Sequence, residues 1–404
     1  MTIYRIAHFS DVHLGYRSGT FKHPETGINL REQDGYDAFN EAIDQIVKYS
    51  KEENPINAVI DSGDLFHTPD PTIYTIVQAK KTLLKLTDNN IPVYTIAGNH
   101  DSTDSVRDIP SNGVLNLPML QQYSYTEPYV QKEILPDVVC HFISHHGFLQ
   151  QEETFKKVNP IKGKFNILVT HGSVFDTALN EVLHSEGEPR EVVISEELMQ
   201  KGWDYTLLGH IHERGWVHSR DRKTDTSGRK QFYAGSLIRR GFTDKECVLG
   251  RGWTLWTIDT EKKTMTPTFF KVHQRFQKDI IIFCENKDND TITKEIKDKL
   301  GEIDLTSAPI LRVTLVDIKR ETEMLIDWKS IYEITNQCLA FSKKVRTKEE
   351  LKKEIESYNF SFDLLTAYKE FFQLYKDSYD NNLKDKVEST SVKLLKKGQE
   401  KILG

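Results

Sequence analysis

Five short apolar runs in the first 210 residues each end in aspartate, asparagine or histidine. The runs cover residues 3–9, 58–60, 92–97, 167–170 and 205–208, and the motifs at their ends are SDVH, DSGDLFH, AGNHD, THG and GHIH. Apolar residues at helical spacing, as in residues 73–86, predict amphipathic helices between these runs. The alternation predicts an α/β sheet, in which functional groups gather where the strands end.

The five motifs carry donor groups that metal ions use. Asp11 and His13 are two residues apart, so alternation along a strand would place both side chains on one face. Carboxylate, amide and imidazole donors together suit manganese or iron better than calcium, which prefers oxygen ligands. Seven donors suit two ions about 3.5–4 Å apart that share a carboxylate. The seven are Asp11, His13, Asp64, Asn99, His171, His210 and His212.

Two adjacent cations are suited to the hydrolysis of phosphate esters. They lower the pKa of a bound water toward neutrality, and they offset charge on a phosphoryl oxygen during in-line attack. A single Asp-x-His pair has many explanations that involve no metal, whereas five such motifs in order, each after a strand-like run, leave little room for chance. The sequence therefore predicts a phosphoesterase with a two-metal centre.

The same motifs resemble those of the calcineurin-like metallophosphoesterases. The stretches HLGYR, REQDGYDAF, GDLFHTPDPT and YAGSLIRRGFTDKE are similar to the SbcD nucleases, the bacterial relatives of the Mre-eleven double-strand-break repair nucleases. The resemblance implies a two-layered β-sandwich flanked by helices, and two manganese ions for which magnesium can substitute. It also implies 3′-to-5′ exonuclease and endonuclease action on DNA at double-strand ends, hairpins or blocked ends.

The resemblance further assigns a role to each donor. It places Asp11, His13 and His212 on the first ion, Asn99, His171 and His210 on the second, and Asp64 between the two. His100 would protonate or stabilise the leaving oxygen, and Asp101 would hold the His100 ring in the required tautomer. His67 would lie near the DNA phosphates and help to position the strand.

A basic segment follows the last metal-type motif. Residues 213–251 contain ten Lys/Arg and five Asp/Glu, a local excess of +5 in a chain whose net charge is −6. Because phosphate contacts from Lys and Arg dominate duplex binding, Arg239 and Arg240 are candidate DNA contacts. The alternative is a solvated hairpin surface. Within the resemblance, Arg17 and Lys22 are further candidates.

The character of the chain changes near residue 275 and again near residue 349. We expect a nuclease domain over 1–274, and a small α/β capping domain over 275–348 with strands in KDIIIFCEN and ILRVTLVDI around a helix in TITKEIKDKL. Residues 349–404 predict a helical tail with an aromatic stripe, which packs within the chain or docks on an SbcC-type coiled-coil ATPase as the resemblance implies. The stripe consists of Leu364, Tyr368, Phe371, Phe372 and Tyr375.

Composition and the resemblance give expectations about the cellular compartment and the oligomeric state of the protein. The four cysteines form no CxxC pair, which argues against a disulfide framework and favours a reducing cytoplasm. The sequence contains no apolar run of about 18 residues, so we expect no membrane span. The first residues lack the pattern of a signal peptide. The resemblance implies a homodimer through helices near residues 37–48 and 71–88, although the apolar stripes of those helices could equally be core.

Three other functions are compatible with parts of the sequence. A metallophosphatase acting on proteins or small phosphate esters would share the metal centre, but it would leave GDLFH and the aromatic tail unexplained. A non-catalytic scaffold of the same fold would show lost ligands, and none of the seven is missing. A cyclic-nucleotide phosphodiesterase would not need a chain of this length.

Overall fold

The computed structural model describes residues 3–19, 21–102, 111–149, 151–174, 192–217, 230–242 and 250–350. Strands and helices alternate along these parts of the chain, as predicted for an α/β fold. All five residues of the aromatic stripe lie outside the described residues, together with nearly all of the predicted tail. The expected docking of that stripe therefore stays a prediction.

Most strands of the described residues belong to two six-stranded sheets and one three-stranded sheet. In chain order they are β1 (Ile3–Phe9), β2 (Ala58–Asp61), β3 (Val93–Ile96), β4 (Leu120–Tyr123), β5 (Tyr129–Leu135), β6 (Val138–Ile143), β7 (Phe165–His171), β8 (Ser173–Val174), β9 (Val193–Ile194), β10 (Tyr205–Gly209), β11 (Gly215–Trp216), β12 (Gln231–Tyr233), β13 (Gly252–Asp259), β14 (Thr264–Lys271), β15 (Gln277–Phe283), β16 (Ile310–Val316) and β17 (Ala340–Arg346). The first sheet has the order β14-β13-β1-β2-β3-β4, and the second has the order β11-β12-β10-β7-β6-β5.

Strand direction decides which residues meet at the sheet edges. Strands β1 to β4 run parallel in the first sheet, and β6, β7, β10 and β12 run parallel in the second. The carboxyl ends of parallel strands collect at one edge, where sites form in such folds. Strand β13 pairs with β1 in the antiparallel direction, so its first residues lie at that same edge.

The two large sheets pack face to face and form a β-sandwich. Alternation along β1 sends Ile6 into the core between the sheets, where it joins Phe142 and Trp256. Phe9 belongs to the core on the opposite face of the first sheet, beneath the long helices. Both faces of β1 are therefore buried over its last four residues, Ile6 to Phe9, of which only His8 is polar. The predicted two-layered sandwich flanked by helices is confirmed.

Two long helices cover the outer face of the first sheet. The helices of the described residues are α1 (Leu30–Glu52), α2 (Ile73–Thr87), α3 (His145–Leu149), α4 (Gln151–Lys157), α5 (Glu196–Met199), α6 (Asn289–Gly301), α7 (Arg320–Met324) and α8 (Trp328–Ile334), with 3-10 turns at Ser111–Val114 and Thr335–Gln337. The side chains of Asn29 and Thr72 accept N–H groups at the starts of α1 and α2, as N-caps do. No helix among those described is long and apolar enough to cross a membrane.

The third sheet consists of β15, β16 and β17, all parallel, and has its own hydrophobic core. Helix α6 contributes Ile292 and Ile296 to that core. The strands and the helix predicted for the small α/β module are thus present, while the domain boundaries at 274 and 348 stay predictions. Just before β15, Arg275 binds both carboxylate oxygens of Asp34 in α1, with N···O distances of 2.8 and 2.7 Å.

His8 is fully buried in β1. Its Nε2 lies 2.8 Å from Ser62 Oγ, and Trp256 Nε1–H donates to its Nδ1 over 3.4 Å. Because Nδ1 accepts a hydrogen bond, we assign the proton of the neutral ring to Nε2. Burial lowers the pKa of His8 from 6.5 to about 3.

This burial predicts a pH dependence of folding stability. Between pH 6.5 and about 3 the unfolded chain binds a proton at His8 that the folded chain does not, so stability falls as the pH falls. The contribution of His8 is about 1.4 kcal/mol per pH unit in that window. We expect His8→Asn to flatten the dependence, as measured by urea unfolding from pH 7 to 4. His273→Asn, at an exposed position, is the control, and parallel curves for wild type and His8→Asn would contradict this account.

Candidate metal centre

The seven donors predicted from the motifs come together at one edge of the sandwich. Those of the first sheet follow the carboxyl ends of β1, β2 and β3, and those of the second lie at or just beyond the ends of β7 and β10. Potential ligand atoms of Asp11, Asp64 and His171 lie within 4.8 Å of one another, and so do those of Asp11, His13 and His212. Residues up to 201 positions apart in the sequence thus form one cluster.

Around Asp11 the donors form a first group. His13 Nε2 and His212 Nε2 are 3.1 Å apart, and His212 Nε2 is 4.0 Å from Asp11 Oδ1. Two nitrogens bound to one ion at about 2.1 Å would themselves be about 3 Å apart. The spacing of the two imidazoles therefore fits a shared cation. Asp11 also accepts the His210 N–H at both carboxylate oxygens, which ties this group to the second sheet.

Around Asn99 the donors form a second group. Asn99 Oδ1 lies 3.0 Å from His171 Nε2 and 3.2 Å from His210 Nδ1. His171 Nε2 is in turn 3.3 Å from Asp64 Oδ2. The same Asp64 oxygen lies 3.7 Å from His13 Nε2 of the first group. Asp64 therefore stands between the two groups, where a bridging carboxylate would have to be.

Hydrogen bonds behind the donors set their orientation. His171 Nδ1 lies 2.8 Å from the carbonyl oxygen of Ser62, so in the neutral form of the ring, the form that binds metal, the proton stays on Nδ1 and Nε2 faces Asp64 and Asn99. A backbone carbonyl in this position is a common partner of metal-binding histidines. The mixed donor set and this orientation both fit a divalent transition-metal ion.

Burial and mutual charge shape the electrostatics of the cluster. Burial raises the pKa of Asp11. The charges of His171 and His212 lower this pKa, but by less than burial raises it. Burial acts in the same direction on Asp64, but the charge of His171 and the hydrogen bonds from His171 and the His100 N–H hold the pKa of Asp64 below its usual range. Burial lowers and Asp64 raises the pKa of His171, to about 10. A cation that takes His171 as a ligand must therefore displace a proton.

The backbone at several donors adopts left-handed conformations. Asp11, His13, Asp64 and His210 have φ of +52°, +49°, +57° and +92°. Such angles cost non-glycine residues about 1–3 kcal/mol each and cluster at functional sites. They also correct one expectation: β1 ends at Phe9, so Asp11 and His13 are neighbours because the chain turns, and strand alternation is not the reason.

Two glycines allow the chain to pack closely at the cluster, Gly98 within the first sheet and Gly209 between the two sheets. A Cβ added to Gly98 would lie 2.2 Å from Asp64 Oδ1. One added to Gly209 would lie 2.2 Å from Ser10 Oγ and 2.6 Å from His171 Nδ1. Neither space can hold a side chain while the carboxylate and the imidazole keep their positions. These glycines therefore form part of the site although they donate no ligand.

His100 and His67 lie side by side at the rim of the cluster. Their rings stack with centroids 5.2 Å apart, and the His100 ring meets His13 edge-on at 4.7 Å. His100 Nδ1 lies 2.8 Å from the His67 carbonyl oxygen. The group that meets His100 Nδ1 is therefore this carbonyl, and the predicted partner, Asp101, binds elsewhere.

Asp101 has a different role from the one predicted. Its carboxylate accepts the N–H groups of Leu65, Phe66 and Gly98, at 3.1, 2.9 and 3.2 Å. It thereby pins the loop after β2 to the loop after β3. Burial, followed by the charge of Asp64, raises the pKa of Asp101 to about 6. The expectation that Asp101 holds the His100 tautomer is corrected to a structural role beneath the site.

The candidate DNA contacts lie in several environments. Arg17 is 55% exposed, with its Nε 2.7 Å and its NH2 3.2 Å from the carboxylate of buried Glu32. Lys22 is exposed. Arg239 NH1 donates to the carbonyl of Gln277, the first residue of β15, over 2.7 Å. Part of its guanidinium is therefore already hydrogen-bonded within the protein. Tyr16 OH donates to the Arg240 carbonyl over 2.6 Å.

Two further histidines, His145 and His146 of the stretch ISHHGF, are buried in the short helix α3. The His145 N–H donates to the Ala97 carbonyl, next to the loop that carries Asn99.

Glu32 is a further residue that the motifs do not reveal. Its only sequence signal is its place in REQ at the start of α1.

Comparison with known proteins agrees with this geometry. Residues 4–214, just over half of the 404-residue chain, match the family described as calcineurin-like phosphoesterase. The chain belongs to this family. Membership confirms the predicted metal-dependent phosphoesterase and implies divalent cations as its cofactors.

Curated relatives of this chain carry the name "DNA double-strand break repair protein Mre11". The protein from Saccharolobus solfataricus is 28% identical over 344 residues, which span 83% of this chain and 81% of that protein. The one from Methanococcus maripaludis is 25% identical over 378 residues, 85% and 91% of the two chains. The one from Thermoplasma acidophilum is 45% identical over 213 residues, 51% of each chain. These relatives fit the SbcD resemblance of the motifs.

The close approach at Gly209 gives a test of the site that changes no donor atom. We expect Gly209→Ala to displace His171 and to weaken Mn²⁺ binding at least about tenfold, as changes behind metal ligands do. Isothermal titration with Mn²⁺ measures this. Gly301→Ala is the matched control, because nothing lies within 4 Å of an added Cβ there. A titration of Gly209→Ala that matches wild type would count against the site.

Proposed function

We propose that this protein is the nuclease subunit of an SbcCD-type complex. It would use two manganese ions to hydrolyse DNA phosphodiesters at double-strand ends, hairpins or blocked ends, as a 3′-to-5′ exonuclease and as an endonuclease. The observation that supports the proposal most is the convergence of seven donors at one sheet edge, with His67 and His100 beside them. The relatives named for DNA double-strand break repair supply the substrate class.

In this proposal the two groups of donors hold one cation each. The first takes Asp11, His13 and His212, the second takes Asn99, His171 and His210, and Asp64 serves both. Two bound cations supply an activated water nucleophile and offset charge on the phosphoryl group. The chain itself contributes rigid placement, since the strained turns and Gly98 and Gly209 fix where each donor points.

His100 is the proposed general acid. Its Nδ1 proton is engaged by the His67 carbonyl, so its Nε2 is the nitrogen that can give a proton to the leaving oxygen. His67 packs against the same ring and against Tyr16, with ring centroids 5.2 and 5.1 Å away. It is thus placed to touch the strand next to the scissile bond. A nuclease needs such an acid because the deoxyribose oxygen is a poor leaving group.

Substrate contacts are proposed for Arg17, Lys22, Arg239 and Arg240. Arg17 suits this role best, because Glu32 holds one edge of the guanidinium while 55% of the side chain stays exposed to solvent. Arg240 is proposed because its carbonyl accepts a hydrogen bond from Tyr16, and the Tyr16 ring packs against His67 beside the metal centre. These contacts are to phosphates and carry no base information, so we propose recognition of DNA ends without sequence preference.

Two partners complete the proposal. The predicted tail 349–404, with its aromatic stripe, would dock on a coiled-coil ATPase that controls access to DNA ends, and residues 275–348 would cap the substrate. A second copy of the chain would pair through α2. That helix exposes 81% of Ile73, 44% of Tyr74 and 40% of Val77, an apolar face that a partner would cover.

The rival function is a metallophosphatase acting on proteins or small phosphate esters. It shares the metal centre, so the centre does not distinguish the two. The His67–His100 pair and the named relatives favour DNA. A comparison of duplex DNA with an aryl phosphate monoester in Mn²⁺ separates the two, since a preference for the monoester would favour the phosphatase.

Replacement of His100 tests the proposed acid. We expect His100→Asn to keep both cations, because the proposal assigns His100 to neither of them, and to slow DNA cleavage by about 10²–10⁴-fold. Hydrolysis of bis(p-nitrophenyl) phosphate should fall far less, because nitrophenolate leaves without a proton. Single-turnover rates on both substrates and metal content measure these effects. Equal losses on both substrates would contradict an acid role for His100.

The exposed face of α2 gives a separate prediction. We expect the wild-type chain to be a dimer in solution and Ile73→Asp to be monomeric, because a buried carboxylate would have no partner at the interface. Multi-angle light scattering at matched concentrations measures the mass. Met324→Asp is the control, since Met324 is an apolar residue of α7 that is 77% exposed and lies outside α2. A wild-type monomer, or an Ile73→Asp dimer, would exclude this interface.

A further inference from the structure

Arg251 lies at the metal edge of the first sheet although no motif marks it. It immediately precedes β13, and β13 runs antiparallel to β1, so this end of the strand lies beside the carboxyl end of β1. The backbone here is closely packed: a Cβ added to Gly252 would lie 1.9 Å from the Phe270 carbonyl oxygen. The Val272 N–H also donates to the Arg251 carbonyl over 2.9 Å. The starting point of the Arg251 side chain is therefore fixed.

The Arg251 side chain reaches from the first sheet to the ligand segment of the second. Arg251 is only 4% exposed, although the sequence places it in the basic excess of a candidate DNA surface. Its NH1 donates to the His212 carbonyl over 2.7 Å and also to Ser236 Oγ. The Ser236 N–H donates to the same His212 carbonyl over 3.1 Å. Two donors thus converge on the backbone of one proposed metal ligand.

The segment from His210 to His212 needs such anchors. His210 has φ +92°, a conformation that a non-glycine residue keeps only when its surroundings impose it. Asp11 holds the amino-terminal end of the segment through the His210 N–H. Arg251 and Ser236 hold the other end through the His212 carbonyl. Without the second anchor the His212 ring could swing away from His13, which lies 3.1 Å from it.

The charge of Arg251 argues against a purely electrostatic role. A buried guanidinium pays a desolvation cost, and near a centre for divalent cations its charge opposes their binding. We propose that Arg251 is a positioning residue that fixes the His212 backbone and so completes the cation site of Asp11, His13 and His212. This inference rests on the proposed function, and it adds a residue that acts through His212 and does not touch the substrate.

The test is Mn²⁺ titration of the 404-residue chain by calorimetry. We expect wild type to bind two ions and Arg251→Met, which keeps most of the volume, to bind one of them about 10–100-fold more weakly. Arg251→Lys should be intermediate, because one ammonium cannot keep the geometry of the guanidinium fork. In a His212→Ala background, Arg251→Met should cause no further loss, since both changes affect the same ion.

Thermal unfolding separates positioning from general destabilisation. Melting curves in EDTA and in Mn²⁺ should show that Arg251→Met shrinks the rise in Tm that Mn²⁺ causes. Arg312→Met is the matched control: Arg312 binds Asp279 within the third sheet, so its loss should lower Tm and leave Mn²⁺ binding unchanged. The proposal is overturned if Arg251→Met binds both ions as tightly as wild type or tighter, or if its Mn²⁺-induced rise in Tm matches wild type. Wild type that binds no Mn²⁺ would instead overturn the cation centre itself.

Discussion

The contact between Asp64 and His171 is the interaction on which the rest of the site depends. It joins a buried carboxylate after β2 of the first sheet to an imidazole at the end of β7 of the second, over 3.3 Å. The same carboxylate reaches His13 and accepts the His100 N–H, so it touches both donor groups and the proposed acid. A carboxylate buried this deeply is stable only with such partners. The sandwich supplies them because parallel strands from both layers end at one edge.

The sequence predicts the donors better than it predicts their supports. Strands buried on both faces, such as β1, are visible as apolar runs, and each of the five runs ends in a recognisable motif. What the pattern cannot show is backbone geometry. The left-handed φ of Asp11 and His13 arises from the turn after Phe9, and the group that orients His100 is the carbonyl of His67, which leaves no trace in the residue types.

A local excess of basic residues in the sequence does not show which of their side chains are available to contact DNA. Arg251 belongs to a basic segment by composition, yet it is buried beneath His212, because burial depends on strand order and direction that local sequence does not reveal. Arg17 is exposed as expected, but its guanidinium is held by Glu32, 15 residues further on. In both cases a residue type suggests DNA contact, and a tertiary partner decides what the side chain can do.

The most direct measurement of the central claim is anomalous diffraction at the manganese absorption edge from crystals soaked in Mn²⁺. The account predicts two peaks about 3.5–4 Å apart, on either side of the Asp64 carboxylate, one beside His13 and His212 and the other beside His171 and Asn99. A single peak, or peaks only at other places on the molecule, would contradict a two-cation centre built from these seven donors.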